Sequence, residues 1–149
     1  FDMSHNVKTG PMHTLYYRVG SGIFFDYTDL FFAEFNYFRK NHLPAGWDDD
    51  IGGAFQLLRR HQYNEVDKYF RLNIRYDAPL ILVPSIFRNV KYIIREKLYC
   101  NVLFANTMKP YIEMGYGIGT YLFNLGIFWG GQMNRMNEVG VKFTFEIFN

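Results

Sequence analysis

The stretch Glu138-Val-Gly-Val-Lys-Phe-Thr-Phe-Glu-Ile-Phe148 alternates strictly between apolar and polar side chains from Val139 to Ile147. A period of two predicts a β-strand with one apolar and one polar face, because successive side chains of a strand point to opposite sides. The place of this strand at the end of the sequence and its aromatic residues favour the sealing strand of an outer-membrane β-barrel. The edge strand of a soluble sheet would show the same alternation, so the remaining residues must decide between the two.

The last strand also contains the spacing polar-x-Gly-x-x-apolar-x-apolar, which resembles the C-terminal signal that directs outer-membrane barrels into the membrane. The residues of this predicted signal are Glu138, Gly140, Phe143, Phe145 and Phe148. The spacing itself ends at Phe145, three residues before Phe148, so Phe148 is a second candidate for the terminal aromatic residue. The resemblance implies that the barrel assembly machinery is a partner of this protein.

Composition favours membrane-spanning strands over a soluble domain or a bundle of membrane helices. Aromatic residues make up 20% of the 149 residues, and charged residues also reach only 20%. This is an unusually aromatic and charge-poor chain for a soluble protein. A mean hydropathy of −0.15 is too low for membrane helices but suits strands in which every second residue faces water. The formal net charge of +2 gives no support for a nucleic-acid partner.

Five further stretches alternate with a period of two, which gives six predicted strands in total. These stretches are 13–24, 66–77, 92–104, 110–118 and 121–130. Several of them run for about 10 to 12 residues, the length of a tilted strand that crosses a bilayer. Six strands cannot close a barrel, because the smallest common barrel has eight. We therefore predict an all-β fold, an antiparallel transmembrane β-barrel segment, in which residues 1–149 form the C-terminal part of one larger barrel domain.

The two faces of the predicted strands differ in polarity. The predicted lipid-facing residues are Phe70, Leu72, Ile74, Leu98, Val102, Val141 and Ile147, and the predicted lumen-facing residues are Arg71, Asn73, Arg75 and Glu113. Arg71 and Arg75 would either select anions or form interior ion pairs with Glu113 and Asp77. Cys100 lies on the lipid-facing side and is interpreted as a small apolar residue. As the single cysteine, it excludes an internal disulfide framework.

Residues 114–134 contain no charged side chain and are long enough to cross a bilayer as a helix. They also contain six glycines, each of which weakens a helix by about 1 kcal/mol relative to alanine. Two short strands joined near Gly119-Thr120 explain the same residues better. We therefore predict strands here and no transmembrane helix.

The segment 25–64 is predicted to be a long loop, either extracellular or folded into the lumen. If the C-terminus is periplasmic, the alternation of strand directions places this segment on the extracellular side, where barrels carry their long loops. An autonomous eight-stranded barrel is the alternative. It would require two more strands inside the segment, at 31–38 and 53–58.

Few residues have the pattern of a catalytic or metal site. Three consecutive aspartates in the long loop, Asp48, Asp49 and Asp50, could supply oxygen ligands to calcium. They lack the glutamate spacing of an EF-hand, so a solvated acidic loop is the simpler interpretation. The candidates for an outer-membrane hydrolase are Ser21 and Ser85 with His42 and His61, but neither serine lies in a Gly-x-Ser-x-Gly motif. We predict no catalytic residue, no cofactor and no metal beyond the aspartate candidate.

Four runs resemble a Bacteroidota family of outer-membrane proteins of unknown function, which carry a carboxypeptidase-regulatory-like domain near the N-terminus and a barrel at the C-terminus. These runs are Gly46 to Leu58, Ile74 to Leu80, Arg95 to Tyr99 and Pro110 to Gly119. The last strands are distantly similar to the sixteen-stranded barrels of the outer-membrane assembly and translocation superfamily. In that superfamily the loop that precedes the twelfth strand folds into the lumen, and 25–64 takes the corresponding position. The Arg-Gly-Phe or Arg-Gly-Tyr motif of that loop is absent here.

These observations predict an integral protein of the cell outer membrane of a Gram-negative, Bacteroidota-like bacterium. Its role would be non-enzymatic, in transport, secretion or assembly, or as a component of an envelope complex. The predicted partners are outer-membrane lipid, lipopolysaccharide, the barrel assembly machinery and other envelope proteins. The alternatives are a soluble barrel-like module that binds a lipophilic ligand, and an outer-membrane hydrolase.

Overall fold

A computed structural model of the protein describes residues 1–23, 55–58, 68–79, 94–106, 108–120 and 123–145. These residues form seven strands: β1 (Asp2–Gly10), β2 (His13–Ile23), β3 (Lys68–Ala78), β4 (Arg95–Ala105), β5 (Met108–Gly119), β6 (Phe123–Gln132) and β7 (Arg135–Phe145). Each strand pairs antiparallel with the next, so the order in the sheet is the order in the sequence, and the sheet is open. In the described ranges there is no helix, and hence none that is long and apolar enough to cross a membrane. The prediction of an all-β antiparallel fold is confirmed.

All six predicted strands coincide with β2 to β7, with ends that differ by a few residues. In the charge-free stretch 114–134, residues 114–119 form the end of β5 and residues 123–132 form β6, so the interpretation as strands is confirmed for these residues. The predicted number of about six is one too few, because β1 was not predicted. On β1 only Met3 and Val7 are strongly apolar, and His5 interrupts them, so the alternation is too weak to identify the strand without its partner. The last residues of the predicted terminal strand, 146–148, lie outside the described ranges.

The strand register forms continuous apolar rows across one face of the sheet, which we call the apolar face. One row runs through His5, Tyr17, Ile74, Cys100, Met114, Trp129 and Val139, and the next through Val7, Leu15, Tyr76, Leu98, Tyr116, Ile127 and Val141. Neither row contains Asp, Glu, Lys or Arg. Many of their large side chains are exposed, from 38% for Leu98 to 68% for Val139. The apolar face is therefore an exposed surface of the described sheet.

The opposite face, the polar face, contains the buried polar residues. One row crosses all seven strands through Ser4, Arg18, Asn73, Asn101, Glu113, Gly130 and Glu138. Asn73, Asn101 and Glu113 have no exposed surface. A soluble sheet buries its apolar face and exposes its polar one, so the polarity of this sheet is inverted.

A small hydrophobic core lies on the polar face, where residues 55–58 pack against β4 and β5. It consists of Phe55, Leu58, Leu103 and Tyr111, with Tyr69, Ala105 and Met108 at its margin. Residues 55–58 form an isolated bridge and a bend rather than a strand. The strand proposed at 53–58 for an eight-stranded barrel is therefore not formed at these four positions, and the one proposed at 31–38 lies outside the described residues.

Glycines on the polar face accommodate large rings from neighbouring strands. Gly115 lies beneath the Tyr99 and Phe128 rings, whose centroids are 5.2 Å apart, and a Cβ at Gly115 would overlap the Phe128 ring. Phe128 has no exposed surface. The ring therefore depends on the absence of a side chain at Gly115.

We predict that Gly115→Ala lowers the free energy of unfolding by about 1 to 3 kcal/mol, because the added methyl group overpacks a buried aromatic pair. Urea unfolding followed by aromatic fluorescence measures the change. Gly117→Ala is the matched control, since the nearest atom to its added Cβ, in Tyr99, is 3.2 Å away. Equal losses in the two variants would contradict the proposed packing.

Candidate functional site

A chain of side-chain hydrogen bonds crosses three adjacent strands of the polar face and ends at a carboxylate. Asn73 on β3 donates from Nδ2 to Oδ1 of Asn101 on β4 at 3.0 Å. Asn101 donates in turn from Nδ2 to Oε1 of Glu113 on β5, also at 3.0 Å. The three side chains meet because the register places them opposite one another. Glu113 is therefore the acceptor at which the chain of amides terminates.

The Glu113 carboxylate also binds the backbone of residues 55–58, which we call the inner segment. The Gln56 amide N–H donates to both carboxylate oxygens at 2.9 and 3.0 Å, and the Leu57 amide N–H donates to Oε2 at 2.7 Å. The Tyr111 hydroxyl lies 3.5 Å from the same oxygen. A buried carboxylate requires such donors, because they replace the water that it loses on burial. The sheet thus holds the inner segment by its main chain.

Side chains of β5 and β7 make further contacts with the inner segment on either side of the Glu113 carboxylate. The Phe55 and Tyr111 rings meet edge to face, with centroids 5.8 Å apart. Lys142 Nζ on β7 donates to Gln56 Oε1 at 2.5 Å. A Cβ built on Gly140 would lie 2.5 Å from Leu57 Cδ2, so Leu57 occupies the space that this glycine leaves.

The inner segment therefore contacts β5 and β7, two strands that are not adjacent in the sheet. On the strand between them, Gly130 lies opposite both Glu113 and Glu138 and carries no side chain. Five residues of the polar face make up the binding site of the inner segment: Asn101, Tyr111, Glu113, Gly140 and Lys142. Because it joins the edge strand β7 to β5 through its own atoms, the segment is a structural part of the polar face.

A second group of charges lies on β1 to β3 of the polar face. Asp2 accepts hydrogen bonds from Arg18 Nε and Nη2 at 2.9 and 2.7 Å, and it also binds Arg71. Arg75 Nε lies 3.0 Å from Asp77 Oδ1, and its guanidinium stacks 3.9 Å above the Tyr16 ring. Such bidentate and stacked contacts suit the planar guanidinium group.

Of the two predicted ion pairs, one is confirmed and the other is wrong. Arg75 pairs with Asp77 as predicted. Arg71 binds Asp2 rather than Glu113, since Asp2 lies across from Gly20 and Arg71 in the register and Glu113 lies two strands away from β3. The Glu113 carboxylate is occupied instead by main-chain donors. Because this partner comes from residues 55–58, strand alternation could not identify it.

The structure places the other predicted residues as follows. Phe70, Leu72, Ile74, Leu98, Val102 and Val141 lie on the apolar face, and Arg71, Asn73, Arg75 and Glu113 lie on the polar face. Of the C-terminal signal, Glu138 and Gly140 are on the polar face, Phe143 is on the apolar face, and Phe145 ends β7. Ile147, Phe148, Asp48, Asp49, Asp50, Ser85, His42 and His61 lie outside the described residues. Within the described ranges no group of three His, Cys, Asp or Glu could hold a metal ion.

Sequence reasoning missed Gln56, Leu57 and Lys142 as members of this site. The inner segment has no period of two or of 3.6 that would attach it to an element. One signal was present in the sequence: Glu113 lies on a polar strand face on which Gly115 and Gly117 follow it. That pattern leaves room for a further segment above the sheet, although it does not say which one.

We predict that Glu113→Ala accelerates hydrogen exchange at the Gln56 and Leu57 amides by about thirtyfold. The reason is that hydrogen bonds to a charged acceptor contribute about 2 kcal/mol, and their loss favours local opening of the inner segment. Exchange resolved to single residues, in the full-length protein, measures the effect. Asp77→Ala is the matched control, because Asp77 is a buried carboxylate of the same face that contacts Arg75. Equal acceleration in both variants would show that Glu113 does not hold the segment.

Comparison with known proteins identifies a family for this chain. No curated protein and no solved structure gave a significant match. Residues 1–118 match the C-terminal domain of a family of unknown function, DUF5686. The match includes β1 to β4 and most of β5, and therefore also the residues of the inner segment and Glu113. Because the matched region is well over half of the sequence, the chain belongs to the DUF5686 family through its C-terminal domain.

Proposed function

We propose that this chain is the C-terminal part of a transmembrane β-barrel in the outer membrane, with a non-enzymatic role in transport, secretion, assembly or an envelope complex. The observation that carries the proposal is the inverted polarity of the sheet. Its apolar face is exposed across seven strands, whereas its polar face holds buried, hydrogen-bonded side chains. Lipid outside and a polar interior satisfy both faces at once.

The extent of the exposed apolar surface supports this proposal. Exposed large side chains occur on every strand of the sheet, among them Met3, Ile23, Phe70, Phe104, Met114, Ile127 and Val141. Water-soluble monomers rarely expose contiguous apolar patches larger than a few hundred Å². The strands are 9 to 12 residues long, which is the length of a tilted membrane-spanning strand.

The two open edges support a barrel larger than the described sheet. One edge of β1 and one edge of β7 have no neighbouring strand in the sheet order. Hydrocarbon provides no donors or acceptors for such backbone groups, so strands from the rest of the whole protein would pair with both edges. We propose a barrel of about sixteen strands, as in the assembly and translocation superfamily, in a Bacteroidota protein that also carries a carboxypeptidase-regulatory-like domain.

The inner segment supports a barrel whose interior is partly filled. It lies on the polar face, which is the lumen side in this proposal, and it comes from the long 25–64 connection. We propose that this connection folds into the lumen and that Glu113 anchors it there. The partners of the whole protein would be outer-membrane lipid, lipopolysaccharide, the barrel assembly machinery and other envelope proteins.

Two methionine substitutions test the membrane position of the apolar face. Met114 lies mid-strand on that face and is 49% exposed, whereas Met133 lies in the β6–β7 turn and is 65% exposed. In lipid, we predict that Met114→Arg lowers the free energy of unfolding by about 2 to 4 kcal/mol, because it places a charge near the bilayer centre. Met133→Arg would cost less than about 1 kcal/mol, because it lies at the aqueous rim. Urea unfolding of the full-length protein from lipid vesicles measures both.

The same pair of variants separates the membrane proposal from its main alternative. Both methionines are about half exposed or more, so in a soluble module that binds a lipophilic ligand each substitution would change stability by less than about 0.5 kcal/mol. Equal, small effects, together with a full-length protein that stays dispersed without detergent, would overturn the membrane proposal. An esterase or protease activity that is lost in both His42→Ala and His61→Ala would instead support a hydrolase.

A further inference from the structure

The polar face of the sheet carries more basic than acidic side chains. By the strand register, nine basic and four acidic residues of the described strands lie on this face. The basic residues are Lys8, Arg18, Arg71, Arg75, Arg95, Lys97, Lys109, Arg135 and Lys142, and the acidic residues are Asp2, Asp77, Glu113 and Glu138. Nine positive against four negative charges leave a formal excess of five on the described polar face, although the whole chain has a net charge of only +2.

Much of this excess lies at the end of the sheet where β1 joins β2. One row across the sheet contains three lysines and runs through Lys8, Thr14, Asp77, Lys97, Gly117, Gly126 and Lys142. Arg95 lies on the same face in the next row, two residues before Lys97 on β4. We call Lys8, Arg95, Lys97 and Lys142 the basic end.

Among the described residues, Asp77 is the only acidic side chain in these two rows, and it pairs with Arg75 of the neighbouring row. Glu96 lies on the opposite, apolar face, because it is one residue from both Arg95 and Lys97 along the strand. The connections at this end contain two basic and no acidic residues in the sequence, and they are 11–12, 79–94 and 120–122. Clustered charges of one sign raise the local concentration of ions of the opposite sign. This end of the polar face therefore attracts anions.

Lys97 and Lys142 line the same small cavity on the polar face. Its floor includes Gly117 and Gly126, which carry no side chains, and the Tyr99 and Phe128 rings are among its walls. The cavity has room for about one water molecule, and hence for one oxygen atom of an anion. Two positive charges thus border a space of the size of a single anionic oxygen.

Hydrogen bonds to neutral groups position the two ammonium groups. Lys97 Nζ donates to Asn124 Oδ1 at 2.8 Å, so the side chain reaches from β4 across β5 to β6, the neighbour of β7. Lys142 Nζ donates to Gln56 Oε1. Both acceptors are amide oxygens, so these two bonds fix the position of each ammonium group without cancelling its charge. Lysine binds phosphate groups as such a point charge.

We propose that the basic end binds a small solute that carries an oxyanion such as phosphate, with Lys97 and Lys142 as its direct ligands. The inference rests on the proposed barrel and deepens it, because it names the class of solute that the lumen accepts. If the C-terminus is periplasmic, β7 ends at the periplasm, and the basic end lies at the periplasmic mouth of the lumen. Rings of basic side chains select anions in pores, and Lys8 and Arg95 add to the positive charge of this mouth.

Protection of lysines from acetylation tests the site in the full-length protein in neutral detergent. Mass spectrometry measures the acetylation of each lysine by acetic anhydride as inorganic phosphate is added at constant ionic strength. We expect phosphate to protect Lys97 and Lys142 with the same midpoint concentration, because they share one ligand. Lys109 is the internal control, since it is an exposed lysine near the other end of the same face, and it should remain unprotected.

A pair of charge variants shows whether the two lysines form one site. Lys97→Gln should raise the midpoint for Lys142 about tenfold, because the anion loses one charged hydrogen bond. Lys109→Gln removes the same charge from the same face and should change this midpoint by less than about twofold, because salt screens distant charges. Equal effects of the two variants, equal protection of all three lysines, or no protection would overturn the inference and leave the membrane proposal intact. A full-length protein that stays dispersed without detergent would refute the membrane proposal instead.

Discussion

The rest of the structure depends on one constraint, which is that the polar face of the sheet is the buried one. A buried polar group must find a partner within the protein, because an unpaired one costs several kcal/mol in an apolar environment. The polar face meets this requirement locally, through Asn73, Asn101 and Glu113 on one row and through the aspartate and arginine contacts of β1 to β3. The exposed apolar face has no such requirement, because its side chains carry few polar groups.

Glu113 shows how this constraint shapes the fold beyond the sheet. Asn101 supplies one donor to the carboxylate, and the main chain of the inner segment supplies the others at 2.7 to 3.0 Å. A glycine makes the approach to β7 possible, because Gly140 leaves space for Leu57. Glu113 on β5 and Gly140 on the edge strand β7 thus both contact the inner segment, although they are distant in the sequence.

Much of the sheet could be predicted from alternation alone, and the exceptions have physical causes. Along each of the strands β2 to β7, apolar and polar side chains alternate over about ten residues. This alternation has the period of a β-strand and not that of a helix. β1 has a weak contrast and is recognisable only through its pairing with β2. The ion pair of Arg75 with Asp77 was predictable because both lie on one face of one strand. The partner of Arg71 was not, because Asp2 belongs to the strand that escaped prediction.

The sequence by itself determined the strand period, the all-β class and the polarity of the two faces, because these follow from side chains two residues apart on the same strand. Only the tertiary structure decided the neighbours across strands and the binding of the inner segment at Glu113. Such contacts join residues up to 86 positions apart, as between Lys142 and Gln56, and no local pattern encodes them. They depend on the register, which fixes which side chains meet once the strands have paired.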